Sequence, residues 1–195
     1  MKLKIDGKEQ VINIDTKKYK KLKEVLRLVE FHYLFPSRVI RTVEVKGKPV
    51  PPDMLDFIEN VSEINIITDS TANFIKKHIE LSVIALDSME NAVEAVIESF
   101  DTSSDLARLH LNYITDSILK TVEIVEKGSN FLPLLEDSEE AVVNIEEKIL
   151  KLNELEDKEE IIKFLKEELL EGVEKWKEFL LRLLMTMENS SRETH

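Results

Sequence analysis

Between Asp157 and Met187 the apolar residues Ile162, Leu165, Leu169, Trp176, Phe179 and Leu183 recur three and four apart, with Gly172 at the missing step and Glu and Lys crowding the positions between. That spacing specifies an amphipathic helix of about thirty residues, about 45 Å long at 1.5 Å rise per residue. A stripe of that length cannot be covered by its own helix. The C-terminal part of the chain must therefore supply further helices to bury it.

The preceding sequence supplies them. Asp69-Ser70-Thr71 is a helix start, and Ile75, Ile79, Leu86, Met89, Val93, Val96 and Phe100 give one continuous stripe, which predicts a single helix over 71–100. Thr102-Ser103-Ser104-Asp105 fits a capping box for a second helix that ends at Lys127-Gly128. That helix carries two stripes, Leu106, Leu109, Tyr113 and Ile124 on one side and Leu111, Ile114, Ile118, Val122 and Val125 on the other, a width that calls for more than one neighbour. A third helix starts at Asp137 with Val142, Ile145, Ile149 and Leu152 inward, and Asp157 caps the last. Short links between helices imply antiparallel neighbours, so residues 70–195 read as an antiparallel four-helix bundle.

The first 69 residues have a different pattern. Leu3 and Ile5 alternate with charged residues as a strand, and Asp6-Gly7 is a hairpin signal. Ile12 and Ile14 mark a second strand. Asp15 or Thr16 caps a helix with Tyr19, Leu22, Leu26, Val29 and Tyr33 on one face, stopped by Pro36. Val39 to Val45 is a third strand closed by the turn Lys46-Gly47-Lys48-Pro49. Pro51-Pro52-Asp53 opens a short helix through Ile58, and Glu63 to Thr68 is a final strand with Ile64 and Ile66 on one face. Strand, strand, helix, strand, short helix, strand in this span resembles a ubiquitin-like β-grasp module, at the level of element order and spacing over the first third of the chain. The resemblance implies recognition of another protein. The uses of such modules in conjugation or sulfur transfer need a Gly-Gly after the last strand, and iron–sulfur use needs Cys; neither is present. The fold class is thus α+β: a small β-grasp-like mixed-sheet module, 1–69, followed by an acidic antiparallel four-helix bundle, 70–195.

Charge separates the two parts. Residues 1–69 hold 13 Lys+Arg against 11 Asp+Glu, and residues 70–195 hold 14 against 28, within a net charge of −12. An acidic surface of that size repels nucleic acid and anionic membrane. No apolar run approaches a membrane span or a leader's apolar core, and with no Cys the chain suits a reducing cytoplasm. A single Gln with abundant Lys and Glu leans toward a thermophile-like composition.

Catalytic chemistry finds little to stand on. The 4 Gly are isolated, so no phosphate-cradling loop exists. The four histidines, His32, His78, His110 and His195, form no Glu-x-x-His pair and show no metal-ligand spacing. Acidic clusters such as Glu139-Glu140 and Glu159-Glu160 sit at helix starts, where they offset the macrodipole. No catalytic, metal or cofactor residue is assigned and no cofactor is called. The candidate partner-binding residues are the basic run Lys17, Lys18, Lys20 and Lys21, the apolar loop residues Phe131 and Leu132, and Gly172 beside Trp176. The basic run lies at a helix start, where positive charge opposes the dipole, so it is a candidate dock for an acidic partner or for the protein's own acidic half; its plain alternative is a solvated face. Phe131 and Leu132 either cover the bundle end or form an exposed binding loop. Gly172 either admits a packed helix or leaves a notch for a partner side chain. The functional expectation is a non-enzymatic protein–protein interaction protein, adaptor- or chaperone-like, monomeric or homodimeric, with another protein as partner. The alternative is an enzyme or phosphorelay component acting through His110 or carboxylates on the bundle.

Overall fold

The structure is a computed structural model that describes residues 1–11, 14–15 and 18–193, the side chains of 191–193 excepted. The chain is mixed α+β, a five-stranded mixed sheet followed by helices, and it divides into two compact units, Met1–Phe74 and Ile75–His195.

In the first unit β1 (Lys2–Ile5) pairs antiparallel with β2 (Lys8–Gln10) and parallel with β5 (Glu63–Ser70). β3 (Arg38–Val45) pairs antiparallel with both β5 and β4 (Lys48–Val50), giving the order β2-β1-β5-β3-β4. Two turns close the hairpins, and in each both central residues have positive φ: Asp6 and Gly7 at 49° and 76°, Lys46 and Gly47 at 53° and 76°. Those are the backbone angles that match the right-handed twist of the flanking strands. Leu3, Ile64 and Ile66 on one sheet face meet Leu22, Val25, Leu26 and Val29 of α1 (Leu22–Val29), all buried.

Three sequence expectations are corrected here. The second strand is Lys8–Gln10 rather than Ile12 to Ile14, because the two-residue turn brings Lys8 directly opposite Ile5; Val11 is fully exposed, and Ile12 and Asn13 lie outside the described residues. The segment after Gly47 is a strand, not the tail of a turn. Pro49 is accommodated because β4 is an edge, where a missing N–H costs no ladder bond. The helix begins at Leu22, since residues 20–22 pair instead with 58–60: Asn60 N–H donates to Lys20 O at 3.0 Å and Leu22 N–H to Ile58 O at 2.9 Å. Its end also shifts. A π turn, Glu30–Leu34, follows Val29, with Phe35 N–H donating to Glu30 O at 2.8 Å. The extra residue per turn moves the buried position to Leu34 and turns Tyr33 outward.

Asp6 ties three strands together. Its carboxylate accepts from the Thr68 N–H (2.8 Å), the Thr68 hydroxyl (2.9 Å) and Arg38 (2.6 Å). Burial works to raise its pKa; the Thr68 donors and the Arg38 charge outweigh that and hold it below its ordinary 3.8. A depressed folded-state pKa contributes stability that is complete above the unfolded value and is lost as pH falls through the folded one. Asp6→Ala is therefore expected to cost about 1–2 kcal/mol at neutral pH. In urea titrations the gap between wild type and variant should close below about pH 4; a gap independent of pH would contradict the assignment.

After β5, α2 (Thr71–Asp87), whose first turn belongs to the first unit, and α3 (Met89–Thr102) replace the single expected helix. Ser88 interrupts it: its N–H and hydroxyl both engage the Ala85 carbonyl, taking that acceptor out of the regular ladder. The apolar period runs through the break undisturbed, so the stripe could not reveal it. α4 (Ser104–Gly128) is capped by Ser103, whose hydroxyl accepts from Leu106 N–H at 3.4 Å, one residue later than the expected box, because Thr102 still belongs to α3 and Leu106 stands at the third position. α5 (Ser138–Glu154) buries Ile145, Ile149 and Leu152, with Val142 packed partly against the core. α6 (Lys158–Phe164), capped by Asp157, runs through a π turn, Leu165–Leu169, into α7 (Leu170–Glu193). That turn again moves the seam, which passes through Ile161, Phe164, Leu165, Leu169, Val173, Trp176 and Leu180. Ile162 and Gly172 are displaced to its half-buried flank.

Candidate functional site

Gly172 and Trp176 come together on a groove of about 450 Å³ between α5 and α7, lined also by Ile145, Lys148, Phe179 and Arg182. Trp176 is 1% exposed, stacks on Phe179 with ring centroids 5.2 Å apart, and donates its indole N–H to the buried Thr121 hydroxyl at 2.7 Å. A Cβ on Gly172 would lie 3.2 Å from Lys148 Cγ and 3.7 Å from Ile145 Cδ1. α5 therefore packs at this step, and Gly172 serves the close approach of two helices.

Two substitutions separate contact from notch. Gly172→Ala should stabilise by about 0.5–1 kcal/mol, because Ala is the better helix former and the flexible Lys148 side chain gives way. Gly172→Leu should cost about 1–3 kcal/mol by overpacking against α5. Thermal denaturation reads both, and a tolerated Leu would mean that the position faces open space.

Several charges in and beside the groove are paired. Arg182 reaches Asp137 and lies over the Phe179 ring at 5.8 Å, while Lys148 and Lys151 both reach Glu168, at 3.2 and 2.8 Å. Hydrogen bonding from Arg182 lowers the Asp137 pKa, that from Lys151 and Lys148 lowers Glu168, and that from Lys175 lowers Glu171. All three carboxyls are pushed toward the ionised form. That is the chemistry of surface ion pairs, within α7 for Glu171 and between elements for Asp137 and Glu168, not of a poised general acid.

Phe131 and Leu132 follow α4 in a short 3-10 turn, Ser129–Phe131, and pack half-buried on the helical core together with Leu135. Leu134 of that loop stands fully out, at 98% exposure. The basic run lies in the other unit. Lys17 is outside the described residues. Lys18 sits over the Tyr19 ring at 5.2 Å, and Lys20 and Lys21 are exposed beside a hollow of about 230 Å³ lined by Tyr19, Lys20, Asn60 and Ser62. Lys21 is the N-cap residue of α1, where its charge opposes the helix dipole, while Lys18 and Lys20 precede the helix. The Lys20 carbonyl accepts from Asn60 N–H, and Lys21 forms a β-bridge with Glu59.

His110, the histidine raised for phosphorelay chemistry, has its Nδ1 2.8 Å from Ser99 Oγ. The Ser99 hydroxyl also lies 2.6 Å from the Ala95 carbonyl, to which it donates. With its one proton so used, Ser99 receives the His110 Nδ1–H, and the pair reads as a hydrogen bond between α3 and α4. Among the described residues no three His, Asp or Glu are grouped to hold a metal, and no helix is long and apolar enough to cross a membrane.

Sequence reasoning missed the most exposed aromatic group. Phe31, Tyr33 and Phe35 are 71%, 52% and 69% exposed around the first π turn, with the His32 ring 5.0 Å from Phe31 and 6.4 Å from Tyr33. The signal lay in the five-residue step from Val29 to Leu34, which a regular helix cannot bury on one face. Compared with known protein families, with curated proteins and with solved structures, this chain matches none.

Proposed function

We propose that this protein is a non-enzymatic adaptor that binds another protein, working in the cytoplasm as a monomer or homodimer, with no nucleic acid or membrane among its partners. The observation that carries the reading is the aromatic group Phe31, Tyr33 and Phe35, held outward by a π turn on a folded module. Exposed aromatics are large, stiff anchors, and they are over-represented where proteins bind each other. The strand order β2-β1-β5-β3-β4, with β1 parallel to β5 and α1 across one face, supports a ubiquitin-like β-grasp reading of that module.

We read the helical unit as an antiparallel four-helix bundle that serves as the scaffold. That reading is supported by Ser99 meeting His110 while Gly128 approaches Ile75, and by Gly172 lying against Lys148 while Arg182 reaches Asp137, the contacts expected of neighbours of opposite sense. The experiment is affinity capture with the full chain from native extract, quantified by mass spectrometry. A partner retained in stoichiometric amount by wild type and lost by Phe31→Ala/Phe35→Ala is the expected result. Absence of any such partner, or equal retention by the variant, would remove the reading.

A further inference from the structure

Helix α4 has two apolar stripes and the fold covers one. Leu111, Ile114, Ile118 and Val122 are buried, while Leu109 and Tyr113 stand 62% and 77% exposed with Leu106 beside them at 38%. Positions 106, 109 and 113, three and four apart, share one outward ridge. Helix α3 lies alongside that ridge, since His110, four residues from Leu106 and three from Tyr113, bonds Ser99 of α3. The exposed Ala95, one turn before Ser99, carries the apolar strip across onto α3.

Carboxylates border the strip on both sides. Asp105, Leu109, Asn112 and Asp116 follow one another four, three and four apart, so two acids bracket Leu109 on the side of α4 away from α3. On α3, Glu90, Glu94 and Glu98 are exposed and four apart, a spacing at which like charges repel. Among the described residues, Glu94, Glu98, Asp105 and Asp116 take part in no salt bridge, unlike Asp137 and Glu168 beside the α5–α7 groove.

We propose that this face of α3 and α4 is a docking site for an amphipathic, cationic helix of a partner protein. Its apolar side chains lie on Leu106, Leu109 and Tyr113, and its Lys and Arg reach the carboxylates on either border. Helix-in-groove recognition uses this arrangement, and charge of opposite sign fixes the register. A second copy of this chain would set carboxylate against carboxylate.

The test uses the full chain and a fluorescein-labelled peptide of about eighteen residues with Leu at helical spacing and Lys on the flanks. A scramble of the same composition and a version with Glu for Lys are the controls. In anisotropy titrations the Leu/Lys helix should bind at least about tenfold more tightly than either control, and its affinity should fall as salt rises from about 0.05 to 0.3 M. Leu109→Asp/Tyr113→Asp should weaken binding at least about tenfold; Glu94→Lys/Glu98→Lys should weaken it and flatten the salt dependence. Circular dichroism checks that the variants fold, and Leu109→Ser/Tyr113→Ser replaces the first pair if it does not. Equal binding of the scramble, or no loss in the apolar variants, overturns the proposal. So does a dimer in sedimentation that Leu109→Asp dissolves, which assigns the face to a second copy. The proposal rests on the adaptor reading only in calling the face a binding surface. Because the test uses neither the native partner nor the aromatic group, one reading can fail while the other stands.

Discussion

Trp176→Ala is expected to lower the stability of the helical unit by about 3–5 kcal/mol, the range for removing a large aromatic from a packed core. The indole is 1% exposed, stacks on Phe179, and donates to the buried Thr121 hydroxyl, so truncation removes core packing and a hydrogen bond together. The groove beside it does not soften the effect, because its lining by Ile145, Lys148 and Gly172 is held at contact distance by helix packing. Thr121→Val isolates the polar part: the shape is kept and the indole N–H is left without its partner, for about 1–3 kcal/mol. Chemical denaturation followed by far-ultraviolet circular dichroism measures both. A Trp176→Ala cost no larger than that of Thr121→Val would show that the ring's packing contributes little.

The corresponding loss in the first unit is Ile66→Ala, expected at about 2–5 kcal/mol. Ile66 is 0% exposed on the middle strand, with Ile5 as its parallel partner in β1 and Val43 as its antiparallel partner in β3. Its carbonyl also accepts from Asp6 N–H at 2.8 Å, so a cavity there opens under the turn that ties three strands. Ile67→Ala is the internal control: one residue on, it points to the opposite, half-buried sheet face and should cost less than about 1.5 kcal/mol. Equal losses at the two positions would mean that the sheet does not bury one face against α1. Hydrogen exchange on the Ile66 and Leu3 amides would localise the change.

The proposed functional surfaces were legible to different degrees. The second stripe of α4 was readable because Leu106, Leu109 and Tyr113 keep helical spacing, and what the sequence withheld was that no helix of the unit covers them. The aromatic group at Phe31 to Phe35 was not readable, because a π turn is a local change of ladder that apolar spacing records only as a five-residue step. Gly172 was singled out as the gap in the last seam. The structure instead runs the seam through Val173 and gives Gly172 the role of admitting Lys148.

The sequence by itself determined the α+β class, the placing of β1, β3 and β5, the cap at Asp157, and the buried stripes of α4 and α5. These depend on residue period and on short-range hydrogen bonding, which a chain segment carries wherever it goes. Tertiary structure alone decided where α1 begins, the edge strand β4, the break at Ser88 and the two π turns. At each of these points backbone groups have competing partners. Lys20 to Leu22 could continue a helix or pair with Ile58 to Asn60, and the Ala85 carbonyl could serve the ladder or Ser88. The choice is made by what the rest of the fold brings within reach, and it decides which aromatic and apolar side chains face outward.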